Sequence, residues 1–410
     1  MIRNDAVVLG LLCAILAFVF RTASSRHPFW QRFYAWVPSL LLCYFLPSLL
    51  ATLGIIDGEQ SRLYFVASRY LLPTSLVLLT LGIDLPAVRR LGPKAIVMFL
   101  AGTVGVVIGG PLALLLVGHV APAAIGGGED AIWRGLTTIA GSWIGGGANQ
   151  AAMKEVFSVP DDLFASLVAV DVIVASLWMA CLLFAAGRAT AIDRWSGADT
   201  TAIEALRDRI AAYQASIARV PSFSDTMTVL AVGFGVTAVA HLVADWLAPA
   251  LAGLDPALER LSLTSRFFWV VVVATTGGLV LSGSRRLRAL EGVGASRLGS
   301  VMLYVLVASI GMRMDLGAVV ERGGLLLVGV VWILVHVVVL LTVARLIRAP
   351  VFFVAVGSQA NIGGAASAPI VAAAFHPALA PVGVLLAVPG YALGTYAAWL
   401  CGQLMRVAGQ

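Results

Sequence analysis

Glycine, serine and carboxamide residues interrupt this apolar chain at two places: GSWIGGGANQAAM, Gly141 to Met153, and GSQANIGGAASAPI, Gly357 to Ile370. A continuous membrane helix would carry Leu and Val there. A buried Asn or Gln without partners is costly, so broken backbone at membrane depth survives only inside protein or against a cavity. Paired Gly-interrupted segments at matching places in two halves point to the binding site of a transporter. The pair predicts a polytopic fold with its site between the two motifs.

That reading needs a lipid environment, and composition supplies one. The chain is 60% hydrophobic and 12% charged, with mean hydropathy +0.96, whereas soluble proteins carry about a quarter charged residues. This excludes the soluble class. The net charge of +6 comes mostly from Arg spread over short loops, without a basic stripe interleaved with aromatics, so no nucleic-acid partner is expected. Cys13, Cys43, Cys181 and Cys401 lie singly in apolar runs, with neither CxxC spacing nor a His ligand set. The run Ala6 to Phe20 is followed by basic residues and by no clean small-x-small cleavage site, so a first transmembrane helix is favoured over a signal peptide.

Apolar segments of spanning length, about 20 residues, fall at 5–21, 34–54, 65–83, 95–118, 163–186, 226–247, 266–283, 298–314, 323–346 and 380–404. The glycine segments 135–157 and 351–374 are extra. The expected organisation is therefore a first transmembrane repeat over 1–187, a linker over 188–225 and a second repeat over 226–410. Within the linker, Thr201 and Glu204 have capping-box spacing, and Ile203, Leu206, Ile210, Tyr213 and Ile217 recur at helical intervals. An amphipathic cytoplasmic helix is predicted.

The halves echo each other in order. LTLGIDLPAV, ending at Val88, resembles SIGMRMDLGAV, ending at Val319, and sets Asp84 against Asp315; each half then carries its glycine motif. Arg21, Arg26 and Arg32 mark one basic loop and Arg89, Arg90 and Lys94 another, while the loops at Asp57 and Glu59 and at Glu129 and Asp130 are acidic. By the positive-inside rule the N-terminus is outside. Placing Arg285, Arg286 and Arg288 inside as well requires that segment 135–157 does not cross. The expectation is an all-α membrane protein of two inverted repeats, each with about five spans and one re-entrant Gly-rich segment. A broken helix that crosses is the alternative, since 23 residues are long enough.

The paired motifs, with LTLGIDL and SIGMRMDL before them, resemble the membrane family catalogued as domain of unknown function 819 over nearly the whole chain. In layout the chain is also similar to the sodium/glutamate and citrate symporters, whose inverted halves each carry a glycine-rich re-entrant segment. The second likeness is one of architecture, and architecture does not fix function.

Candidate solute-binding residues are Ser142, Gly146, Asn149 and Gln150 in the first motif, and Ser358, Gln359, Asn361 and Gly363 in the second. Their hydroxyls and amides stand beside freed backbone; helix packing by small residues is the competing explanation. Part of each Asn amide is expected to stay free for a ligand, with Asn149 and Asn361 close together. Asp171, about ten residues into its span, and Ser367 are candidates for ion coupling. An intramembrane carboxylate could hold sodium, take up a proton, or brace the loosened segment. Arg313 could pair with Asp315 or meet an anionic solute, and His336 could relay protons or simply pack. No Ser-His-Asp order, HExxH or P-loop appears, so an enzyme is not expected.

The reading is an ion-coupled secondary transporter of a small anionic or zwitterionic solute in the cell (inner) membrane, using sodium or protons and no other cofactor. An uncoupled channel or facilitator is the rival; a membrane-embedded enzyme or receptor subunit is a more distant one. Expected partners are the solute and membrane lipid, with a homodimer left open.

Overall fold

Long apolar runs can satisfy their backbone in lipid only by coiling into helices, and all ten expected spans are helical. The computed structural model describes residues 1–58, 60–120, 122, 132–198, 221–255, 257–314, 324–376 and 379–409. The main elements are α1 (Asp5–Ala23), α2 (Ser39–Thr52), α3 (Leu63–Leu81), α4 (Pro93–Val120), α5 (Ile132–Gly145), α6 (Gly147–Val156) and α7 (Asp161–Ala186). They continue with α8 (Phe223–Ala252), α9 (Arg266–Ser282), α10 (Ala295–Gly311), α11 (Gly324–Ile347), α12 (Val351–Ile362), α13 (Gly364–Phe375) and α14 (Ala380–Ala408). Among the described residues the only β pairing is an isolated bridge between Ile2 and Ile56.

Seven of these helices are long and apolar enough to cross a membrane, or up to nine if each of two bent pairs is one span. One pair is Pro28–Tyr34 with α2, bent by 88° around Pro38; the other is α9 with Arg285–Val293, bent by 102°. The remaining expected span, 298–314, is α10, an apolar helix of 17 residues. The chain is thus an all-α polytopic membrane protein. The linker helix expected over 201–217, the loop acids Glu59, Glu129 and Asp130, and Asp315 lie outside the described residues. A capping box does occur at the end of the linker, where Ser222 and Asp225 start α8.

At the two glycine motifs the helices break and double back. Gly146 takes φ +76° between α5 and α6, and Gly364 takes φ +58° between α12 and α13. Residues with a Cβ rarely adopt either conformation, so glycine is what permits the turn. Trp133 at the start of α5 packs on Phe157 just past α6, with ring centroids 5.8 Å apart. Phe352 and Phe375 close the second pair in the same way at 5.3 Å. Each motif is therefore a helical hairpin whose ends lie together.

The hairpins enter the bundle from opposite ends, and α14 measures this. A methyl group added at Gly383 would strike Ala368 in α13, one at Gly390 or Gly394 would strike Ile144 or Gly145 at the first tip, and one at Gly402 would strike Phe157 at the first hairpin's open end. Positions 383 and 402 are about 28 Å apart along a helix. The remaining wall is α4 against α11, brought close by a glycine face: a Cβ at Gly109 would lie 2.5 Å from the Trp332 ring.

Candidate functional site

The two turns meet. A methyl group built on Gly364 would sit 3.9 Å from Gly146 Cα. Gly146, Gly147 and Gly363 are half-exposed, whereas most of the helix around them is buried. Gly363 is needed for a different reason from Gly364. Its φ is −116°, an ordinary value, but a Cβ there would overlap Ser367 Oγ and Gln359 Nε2.

Each hairpin is held by an asparagine clamp. Asn149 Nδ2 donates to Gly145 O at 3.1 Å and to Tyr391 O of α14 at 3.0 Å, while Thr395 Oγ1 donates to Asn149 Oδ1 at 2.8 Å. Asn361 Nδ2 donates to Gly357 O at 3.0 Å and to Phe99 O of α4 at 2.8 Å, while Thr103 Oγ1 donates to its Oδ1 at 2.8 Å. In both cases the amide spans its own preceding turn and a carbonyl and threonine four residues apart on a neighbouring helix. Both N–H groups and the carbonyl of each amide are engaged. The expectation that part of each amide stays free for a ligand is therefore not met; freed backbone near a helix break consumes them first.

Asp171 is drawn to the first hairpin. It is 4% exposed. Trp143 Nε1 donates to its Oδ1 at 2.7 Å and Gln150 Nε2 donates to its Oδ2 at 2.8 Å, with Ser142 at the same carboxylate. These charge-assisted bonds join the two limbs of the hairpin to α7. They also fix the Gln150 amide, because its Oε1 cannot face a carboxylate. That oxygen is buried and has no hydrogen-bond partner among the described residues.

Two turns further along α7 the chemistry changes. Trp178 Nε1 donates to Ser358 Oγ at 2.8 Å, and Ser358 Oγ lies 2.8 Å from His336 Nε2. His336 Nδ1 lies 3.0 Å from Gly102 O. A carbonyl only accepts, so Nδ1 carries the proton and Nε2 accepts from the Ser358 hydroxyl. The neutral ring is satisfied at both nitrogens, as a packing residue would be. Gln359 Nε2 donates to Ser367 Oγ at 2.7 Å, and Gln359 Oε1, like its counterpart in Gln150, is buried without a partner among the described residues.

Arg313 pairs with Asp161 at 2.9 Å, with Asp315 outside the described residues. It stands in a polar cluster at the open end of the first hairpin, with Tyr64 and Arg69 of α3 and with Lys154 and Glu155 of α6. The sequence reading missed this cluster. Its signal was the adjacent Lys154 and Glu155 closing an otherwise apolar motif. The two tryptophans, Trp143 and Trp178, were missed as well, because an indole in an apolar run carries no mark of its hydrogen-bond partner.

Comparison with known proteins adds a family. The chain is 24% identical over 360 residues to the uncharacterized membrane protein YjcL of Bacillus subtilis (strain 168), covering 85% of each chain. The family model described as protein of unknown function (DUF819) matches residues 10–408. With the match running through both hairpins, the chain belongs to the DUF819 family.

Proposed function

We propose that the protein is an ion-coupled secondary transporter of a small anionic or zwitterionic solute in the cell membrane. The observation that carries the reading is the contact of two opposed hairpin turns at Gly146 and Gly364 inside an apolar bundle. In this reading each hairpin is re-entrant, the two halves are inverted, and alternating access exposes the tips to one side at a time. The N-termini of α6 and α13 start at the tips, and their dipoles favour an anionic group. Gln150 and Gln359 offer their unpartnered oxygens to donors on the solute or to a cation. The two asparagines hold the hairpins and are not the recognition groups.

Asp171 is the coupling residue in this reading. Its carboxylate accepts from both limbs of the first hairpin, so a sodium ion or proton arriving there competes with Trp143 and Gln150 for the same oxygens. Ion occupancy would then loosen or tighten the hairpin directly. The test is uptake of labelled small carboxylates and amino acids into vesicles containing the purified protein, with imposed sodium or pH gradients. Wild-type uptake should follow one gradient, and Asp171→Asn should abolish that dependence while remaining folded. Gradient dependence unchanged in Asp171→Asn would remove Asp171 from coupling. Uptake by the wild type without any gradient dependence would identify a facilitator.

A further inference from the structure

The open end of the first hairpin holds a cavity of about 310 Å³, lined by the polar cluster around Arg313. Lys154 Nζ reaches Asp161 at 2.8 Å and donates to Tyr64 Oη at 2.9 Å; Tyr64 in turn donates to Glu155. Arg69 Nη2 reaches Glu155 at 3.1 Å, and Arg313 Nη2 reaches Asp161 at 2.9 Å. Arg313 also lies over the Tyr64 ring, 4.5 Å from its centroid. Among the described residues three cations face two carboxylates, which leaves one positive charge. The Lys154 side chain is only 5% exposed, and Arg313 Nε is buried with no hydrogen-bond partner among the described residues.

A guanidinium edge formed by Nε and Nη2 is the fork that receives a carboxylate. Here Nη2 is used by Asp161 while Nε is not. A buried N–H without an acceptor is costly, and Arg313 lines a cavity large enough for a small organic ion. We propose that this cavity binds a small monocarboxylate, with one oxygen on Arg313 Nε and its single negative charge balancing the excess cation. The apolar part of such a ligand fits against the Tyr64 ring. The dianion of inorganic phosphate would overcompensate the charge. Position 154 is seven residues along α6 from Gly147, about 10 Å from the tips. Such a site deepens the transport reading by naming a solute class and rests on that reading for its purpose, while its test needs no flux.

Purified full-length protein in detergent is titrated with sodium propionate, sodium chloride or sodium phosphate at one pH, sodium concentration and ionic strength, and Tm is recorded. Propionate should raise Tm saturably above the chloride control, and Arg313→Gln should weaken that response about tenfold. Modification of Arg313 by phenylglyoxal, read by mass spectrometry on the wild type, should be slowed by propionate and not by chloride; this arm stands even if the variant does not fold. Equal Tm with propionate and chloride, no protection of Arg313, an undiminished response in folded Arg313→Gln, or a larger shift with phosphate would each overturn the proposal. Propionate binding without vesicle uptake would leave the site standing and count against the transport reading alone.

Discussion

The first and second hairpins solve one structural problem with different residues. Both use glycine to turn and an asparagine to bind a carbonyl and a threonine on a neighbouring helix. Asn149, however, lies after its turn and grips α14, whereas Asn361 lies before its turn and grips α4. The polar networks differ more. The first hairpin closes on the Asp171 carboxylate; the second closes on a neutral histidine through Ser358. The clamp is therefore generic and the charge is not. Among the described residues, only the first hairpin has a carboxylate bonded to both of its limbs.

The comparison breaks most visibly at the clamps. Asn149→Leu and Asn361→Leu each remove three hydrogen bonds, while Thr395 keeps Thr275 and Thr103 keeps Phe99 O as partners. Interhelical hydrogen bonds in membranes average about 0.6 kcal/mol. A loss of about 2 kcal/mol is expected for each variant, read as a matched fall in Tm in detergent. A fall in only one would mean that the two clamps are not equivalent, and full stability with lost uptake would return the amides to solute recognition.

A comparable effect tests the turns. The methyl group of Gly146→Ala would touch Tyr391 at 3.8 Å and that of Gly364→Ala would touch Gly146 Cα at 3.9 Å, both ordinary contacts. Their cost is then the positive-φ backbone, about 1–3 kcal/mol, and Gly146, at φ +76° and ψ −173°, lies where almost only glycine is found. A Tm loss is expected in both variants, together with slower vesicle uptake where the Gly364→Ala methyl group intrudes between the tips. An unchanged Tm in either would show that its turn does not depend on the positive φ.

Sequence reading reached the breaks because Gly, Ser, Asn and Gln in an apolar run violate the period and chemistry of a membrane helix. It placed Asp171 beside the first motif for the same reason: charge at that depth is conspicuous. It did not foresee the partners of Asn149 and Asn361, which are mostly backbone carbonyls and threonines more than 240 positions away. Carbonyls have no sequence signature, and a threonine such as Thr103 inside α4 looks like any small membrane residue. It also had no route to the cavity, because Tyr64, Arg69, Lys154 and Arg313 come from three separate stretches and meet only in the folded bundle. Local violations of pattern are legible one residue at a time; satisfaction of polar groups is a property of pairs.

The smallest expected difference separates the two motif serines. Ser142 faces a carboxylate whose oxygens already accept from Trp143 and Gln150, so Ser142→Ala removes a supplementary donor and orphans no group in the neighbouring helices. Its cost should be about 0.5 kcal/mol. Ser358 links Trp178 Nε1 to His336 Nε2, accepting from one and donating to the other. Ser358→Ala leaves both without that partner, and two average interhelical bonds come to about 1 kcal/mol. Tm measured side by side should therefore fall further for Ser358→Ala. The two networks also differ in what repairs them. Ser358→Thr restores a hydroxyl at the hub and should recover most of the loss if the branched side chain is accommodated, whereas Ser142→Thr has little to recover. Equal losses for the two alanine variants would mean that Ser142 is as necessary to Asp171 as Ser358 is to His336, and the carboxylate would then depend on three donors where two now suffice.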